Sequence, residues 1–158
     1  MIARSAVRTE KILFVCTANV CRSPMAQTIF SALAGDEGLL YKVESAGTAA
    51  LEGRSMAPNA VAALEELGIY AEPHSARQVT AEMLDEAELV LAMTPQHVAV
   101  LRQLGGAPAR GIQALPEYAA GLSGEGIPDP YGLTMTAYRS TLRQLYEYVE
   151  TVIERLGR

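Results

Sequence analysis

Lys11-Ile-Leu-Phe-Val-Cys16-Thr17-Ala18-Asn19-Val20-Cys21-Arg22-Ser23-Pro24 is the stretch that decides the fold. Residues 11–16 form a short, continuous apolar run of strand-favouring side chains. Such a run reads as a strand buried on both faces, which is the habit of parallel sheets. Residues 17–22 interrupt it with polar groups. Ser23-Pro24 then reads as a helix start, with Ser as cap and Pro in the first turn. Met25, Ile29 and Leu33 continue an apolar stripe at helical spacing, and Gly35 and Gly38 are expected to end it.

The same alternation continues outward. Residues 41–46 read as a second strand closed by Gly47. Residues 57–67 read as a helix carrying Val61, Leu64 and Leu67 on one face, with Gly68 as its stop. A short acidic helix is expected over 80–86 and a strand over 88–93. Thr94-Pro95 then caps a helix holding Val98, Leu101 and Leu104. A last short strand is expected over 112–115, a long Gly- and Pro-rich loop over 117–130, and a helix over 134–156. Strands alternating with helices predict an α/β fold: three layers, with a four-stranded, mainly parallel twisted sheet flanked by helices on both faces. Ligands in such folds bind beyond the carboxyl ends of the strands, where residues 16–22 fall.

Composition narrows the function classes. The chain has 158 residues, 49% of them apolar and 20% charged, an ordinary globular balance. Its formal net charge is −5, which lacks the basic excess of a nucleic-acid binder. No apolar run is long enough to cross a bilayer, and no leader pattern opens the chain, so neither membrane insertion nor secretion is expected. Two cysteines cannot make a disulfide framework, so a cytoplasmic setting is expected. Residues 1–10 read as a flexible N-terminal extension and residues 11–158 as one domain. The composition says nothing about oligomeric state.

The turn at 16–22 offers a thiol at its start and a guanidinium at its end. A strand-to-helix turn directs backbone N–H groups and a positive helix end into one concavity, which suits an anion. The sequence matches neither nucleotide-binding glycine pattern. A thiolate is the reactive form of cysteine, and amides, a helix N-terminus and a nearby Arg all stabilise it. Arg22 can also grip two phosphate oxygens as a fork. With 11 Arg among 158 residues, a Cys is followed by Arg six places on about 7% of the time by composition alone, so the spacing is weak without its structural context. Cys16 by itself is equally a buried structural thiol. A zinc reading lacks ligands, since only His74 and His97 remain and both are distant in sequence. Both are read as structural.

The pattern from Val15 to Ala26 resembles the low-molecular-weight protein tyrosine phosphatases. Four further segments are similar to that family in the same order: Ser45-Ala-Gly-Thr48, His74-Ser-Ala-Arg77, Met93-Thr94 with His97 and Leu101, and Asp129-Pro-Tyr131. The resemblance implies a protein phosphatase that uses neither metal nor cofactor and acts on phosphorylated proteins. Cys16 would be the nucleophile, with Arg22 and residues 17–23 (Thr17, Ala18, Asn19, Val20, Cys21, Arg22, Ser23) binding phosphate. Asp129 would be general acid and then base. The only other Asp residues, Asp36 and Asp85, read as surface carboxylates. The resemblance also implies that Asn19 braces the loop, and that Ser23 both caps the helix and hydrogen-bonds Cys16. Cys21 is either a small core residue or, as the resemblance implies, a reversible disulfide partner of Cys16. Tyr131 and Leu51 are expected to wall the substrate mouth, Leu51 lying where the family often carries an aromatic. Tyr138, Tyr146 and Tyr148 read as packing or surface residues.

Ala18 stands where the family usually has Gly, so a positive φ there would cost about 1 kcal/mol. Three other readings stay in view. A protein-arginine phosphatase of the same fold tends to carry Thr before the second Cys; here it is Val20, which suits an aryl ring better, although the run Asp129-Pro-Tyr-Gly132 resembles that branch. An arsenate reductase needs further downstream cysteines, and none follow Cys21. A phosphate-binding module without turnover would lack the nucleophile or the acid.

Overall fold

The computed structural model describes residues 10–157. Its order is β1 (Glu10–Cys16), α1 (Arg22–Glu37), β2 (Tyr41–Gly47), α2 (Pro58–Glu66), α3 (Ala81–Glu86), β3 (Leu89–Ala92), α4 (Pro95–Arg102), β4 (Ile112–Ala114), α5 (Leu115–Ala120) and α6 (Met135–Leu156). The four strands form one sheet in the order β2-β1-β3-β4, every pairing parallel. The flexible extension expected over residues 1–10 lies outside the described residues, except that Glu10 already pairs with Tyr41 in the sheet.

Alternation along β1 builds two cores. Ile12, Phe14 and Cys16 face one side, where they join Met25, Ile29 and Phe30 of α1, Leu64 of α2 and Leu145 and Val149 of α6. Leu13 and Val15 face the other side and meet Leu84 of α3 and Val98 and Leu101 of α4. This is the three-layer arrangement expected from the sequence, and it explains why β1 reads as a solid apolar run. Phe30 is the pivot of the larger core, edge-on to Phe14 at 6.1 Å and to Tyr41 at 6.3 Å. Strand β2 is an outer strand of the sheet. It carries the charged Lys42 and Glu44, and its last residue, Gly47, makes an isolated parallel bridge to Gln78.

Several local expectations are corrected. Helix α1 begins at Arg22 with Cys21 at the cap position, so Ser23 lies inside the first turn and caps nothing. Gly35 is helical; the stop is Gly38, at φ 71. Asp36 therefore sits in the last turn of the helix. Leu67 and Leu104 lie beyond the ends of α2 and α4 and are exposed rather than part of an apolar stripe. The long loop starts later than expected. Residues 115–120 form α5, opened by Pro116 and closed by Gly121 in the left-handed region, so the irregular segment is 121–134. A six-residue helix shows too little periodicity to be seen in sequence.

Truncating Phe30 to Ala removes a ring buried on every side, and should lower unfolding free energy by about 3–5 kcal/mol. A loss below about 1 kcal/mol in urea titration would show that α1 is not anchored through this ring.

Candidate active site

The loop joining β1 to α1 has its polarity sorted. Its carbonyls are satisfied from outside: Thr48 N–H donates to the Cys16 carbonyl (2.9 Å), Ala49 N–H to that of Thr17 (2.9 Å), and Ala57 N–H to that of Val20 (2.9 Å). Met25 N–H serves the Cys21 carbonyl at 3.0 Å, and His74 Nε2 serves that of Asn19 at 2.7 Å. The amide N–H groups of residues 17–22 have no hydrogen-bond acceptor among the described residues. Unpaired main-chain donors that share a concavity with a helix N-terminus make an anion cradle.

Two residues let the chain bend this way. Asn19 sits at φ 60, the one non-glycine positive φ among the described residues. Ala18 does not adopt that geometry, so the strain its Cβ would bring at a positive φ does not arise. Asn is a residue that tolerates the left-handed region. Its side chain locks the bend: Nδ2 donates to Ser23 Oγ (2.8 Å) and Ser45 Oγ (2.9 Å), while Oδ1 accepts from Arg77 N–H (3.0 Å). Gly47 supplies the space. A Cβ there would stand 2.4 Å from the Thr17 carbonyl oxygen, so the loop can lie against β2 only over a glycine. Arg77 completes the brace by donating to the Ser45 carbonyl (3.1 Å) and pairing with Glu44 (2.8 Å).

Cys16 lies at the end of β1 with Sγ 3.0 Å from Ser23 Oγ. Arg22 is buried, and its guanidinium is held on three sides. Nη1 donates to the Ile127 carbonyl at 3.0 Å, Nη2 to Thr17 Oγ1 at 3.4 Å, and Nη2 lies 3.4 Å from Asp129 Oδ2. Asp129 is half exposed, and its Oδ1 accepts from Tyr131 N–H at 3.1 Å. Guanidinium and carboxyl therefore meet beside the loop that Cys16 opens at the carboxyl end of β1. Asp36 and Asp85 are exposed, as read from the sequence. Among the described residues, no three His, Cys, Asp or Glu side chains converge to hold a metal ion.

Other expectations shift. Val20 is 1% exposed and packs in the core, so its apolar side chain is spent on packing and does not form an open wall for a ring. Cys21 is a free, buried thiol against Tyr138 Oη at 3.4 Å. Burial pushes it up to about 11, against the Tyr138 contact, which pulls the other way. Tyr131 and Leu51 are both exposed, but what meets Tyr131 is Arg54. Its Nη2 donates to Tyr131 Oη at 3.1 Å and its guanidinium lies 5.6 Å from the ring centre.

Both histidines, distant in sequence, reach the loop. His74 holds the Asn19 carbonyl. His97 Nε2 lies 2.8 Å from Thr17 Oγ1. The sequence left Arg54, the role of Ser45 and the loop contacts of both histidines unassigned, while Tyr138, read as a packing or surface residue, is buried against Cys21. The available signal was the His74-Ser-Ala-Arg77 segment itself. Burial, then the neighbouring Arg22 charge, drives His97 down to about 4, so it is neutral near pH 7.

A family model described as low molecular weight phosphotyrosine protein phosphatase matches residues 11–158. A protein-arginine-phosphatase of Bacillus subtilis is 39% identical over 145 residues, covering 92% of this chain and 95% of that protein. A low molecular weight protein-tyrosine-phosphatase of Streptomyces coelicolor is 37% identical over 130 residues, covering 78% and 79%. The crystal structure of a Bacillus subtilis YwlE mutant superposes with a TM-score of 0.88 at 37% identity, covering 95% of this chain and all of that one.

Gly47→Ala should push the Thr17 carbonyl away and raise the Kd for inorganic phosphate about tenfold in calorimetry; unchanged binding would show that the loop does not depend on this close approach. The histidine gives a pH test. Between about 4 and its ordinary value of 6.5 the unfolded chain binds a proton that the folded His97 refuses, so stability falls as pH drops through that window. His97→Gln, which cannot titrate, should show a flatter urea midpoint between pH 7 and 4.5 than the wild type.

Proposed function

The chain belongs to the low molecular weight phosphotyrosine protein phosphatase family, and from that premise we propose that it hydrolyses phosphotyrosine in proteins through a phosphocysteine formed on Cys16. The observation that carries this reading is the sorted polarity of the loop: carbonyls tied to groups outside it, amides left without an acceptor, with a cysteine at its first position and a fixed arginine at its last.

In the proposed reaction the amides of residues 17–22 and the Arg22 fork hold the three non-bridging phosphate oxygens, which gain charge delocalisation as the bond to the leaving oxygen lengthens. Cys16 Sγ, as thiolate, forms the S–P bond while the P–O bond to the aryl oxygen breaks. Asp129 as carboxylic acid gives its proton to that oxygen. The resulting carboxylate then takes a proton from water, whose oxygen attacks phosphorus. The S–P bond breaks, inorganic phosphate leaves and the thiolate is restored. Ser23 Oγ, at 3.0 Å, stabilises the sulfur as attacking and leaving group. The half exposure of Asp129 fits a group that must meet both a bulky leaving group and water.

A second reading is a protein-arginine phosphatase, favoured by the 39% identical Bacillus relative. Against it stands Arg54, which sets a cation on the Tyr131 rim and repels an incoming guanidinium. A phosphotyrosine ring meets no such penalty and can stack on Tyr131.

Turnover should be at least about tenfold faster on phosphotyrosine than on phosphoarginine peptides, and chelators should leave it unchanged. Cys16→Ser should lower kcat by about a thousandfold or more. Faster phosphoarginine hydrolysis would sink the substrate assignment, and an active Cys16→Ser enzyme would sink the nucleophile.

A further inference from the structure

We propose that His97 is a positioning residue of the phosphate site, holding Thr17 so that Arg22 keeps a fixed acceptor on the side that Asp129 must vacate. The inference rests on the phosphatase reading above and begins from the needs of a buried guanidinium. Arg22 is 5% exposed, and its N–H groups need partners in fixed places. Asp129 cannot be a permanent one, because the reaction has it trade a proton with the leaving oxygen and with water. The lasting anchors are the Ile127 carbonyl, part of the backbone, and Thr17 Oγ1, part of a side chain on an exposed residue.

An exposed threonine hydroxyl is free to choose among rotamers unless something holds it. His97 does so at 2.8 Å. The imidazole is itself fixed: His97 lies in the first turn of α4 and is 7% exposed. Its backbone N–H donates to Thr94 Oγ1 at 3.1 Å, and its ring Nδ1 lies 2.9 Å from the same oxygen. A neutral imidazole has one donor and one acceptor nitrogen. Thr94 Oγ1 already accepts the backbone N–H, so the fullest pairing has the Thr94 hydroxyl donate to Nδ1 and Nε2–H donate to Thr17 Oγ1. That oxygen then also accepts Arg22 Nη2–H. The Thr17 hydroxyl proton is left uncommitted, free for an oxyanion in the cradle. In the opposite tautomer Nδ1–H would crowd Thr94 Oγ1 and strand the Thr94 hydroxyl proton. Burial and the Arg22 charge keep the ring neutral, as this chain of donors requires.

The test compares two amides and uses binding as well as turnover. In glutamine the amide nitrogen stands where Nε2 stands; in asparagine it falls near Nδ1. His97→Gln should keep the Kd of inorganic phosphate and kcat/KM on an aryl phosphate within about threefold of wild type, while His97→Asn should worsen both about tenfold. The double variant His97→Asn/Thr17→Val should be no worse than Thr17→Val alone, because both sever one chain of contacts. Equal behaviour of Gln and Asn, or losses that multiply in the double variant, would overturn the proposal. So would a His97→Asn protein that binds phosphate normally and differs only in its unfolding midpoint. Absent wild-type turnover would sink the phosphatase reading, and phosphate calorimetry on the same variants would still decide the role of His97.

Discussion

Everything at this site depends on where one loop sends its backbone dipoles. Between Cys16 and Arg22 five carbonyls are tied to groups outside the loop, which leaves the amides no partner but whatever enters the concavity. Main-chain donors cannot rotate away, so the cradle is set when the chain folds and needs no reorganisation when charge develops. The side chains around it act mostly as struts. Asn19 ties the bend to α1, β2 and residue 77, Gly47 lets strand and loop touch, and the histidines reach in from segments remote in the chain.

The two thiols show how little sequence distance says about chemistry. Cys16 ends a strand and meets a serine hydroxyl; Cys21 lies five positions on, sealed against Tyr138 Oη, and is held as a neutral thiol by burial. Both thiols are buried, and what separates them is the partner each one meets.

Much of the fold is legible in the sequence. The apolar run of residues 11–16 and the repeated strand–helix alternation carry the three-layer parallel fold, because burial on both faces leaves a direct mark on composition. Cys16, Arg22 and the Asn19 brace followed from the loop and its resemblance. What the sequence hid were features made by tertiary contact. Helix α5 is too short to show a period. Ser23 looks like a cap in sequence but spends its hydroxyl on Cys16 and Asn19. Ala18 reads as the strained position because the family it resembles usually has glycine there, whereas the left-handed residue is its neighbour Asn19. His97, seventy-five positions from Arg22 and invisible as its partner, enters only because the parallel order β2-β1-β3-β4 sets the end of β3 beside the end of β1.

The placement of β2 at the border of the sheet also bears on how this chain behaves in a crowded solution. A bare border strand offers its hydrogen-bonding row to any other extended polypeptide, which is the first step towards aggregates. Here Lys42 and Glu44 set charges along that border, Glu44 is clasped by Lys11, Lys42 and Arg77, and the bridge from Gly47 to Gln78 closes its far end. The arginine that steadies the loop thereby also guards the sheet against unwanted pairing, so loosening it would expose the protein to clumping as well as to a slack site.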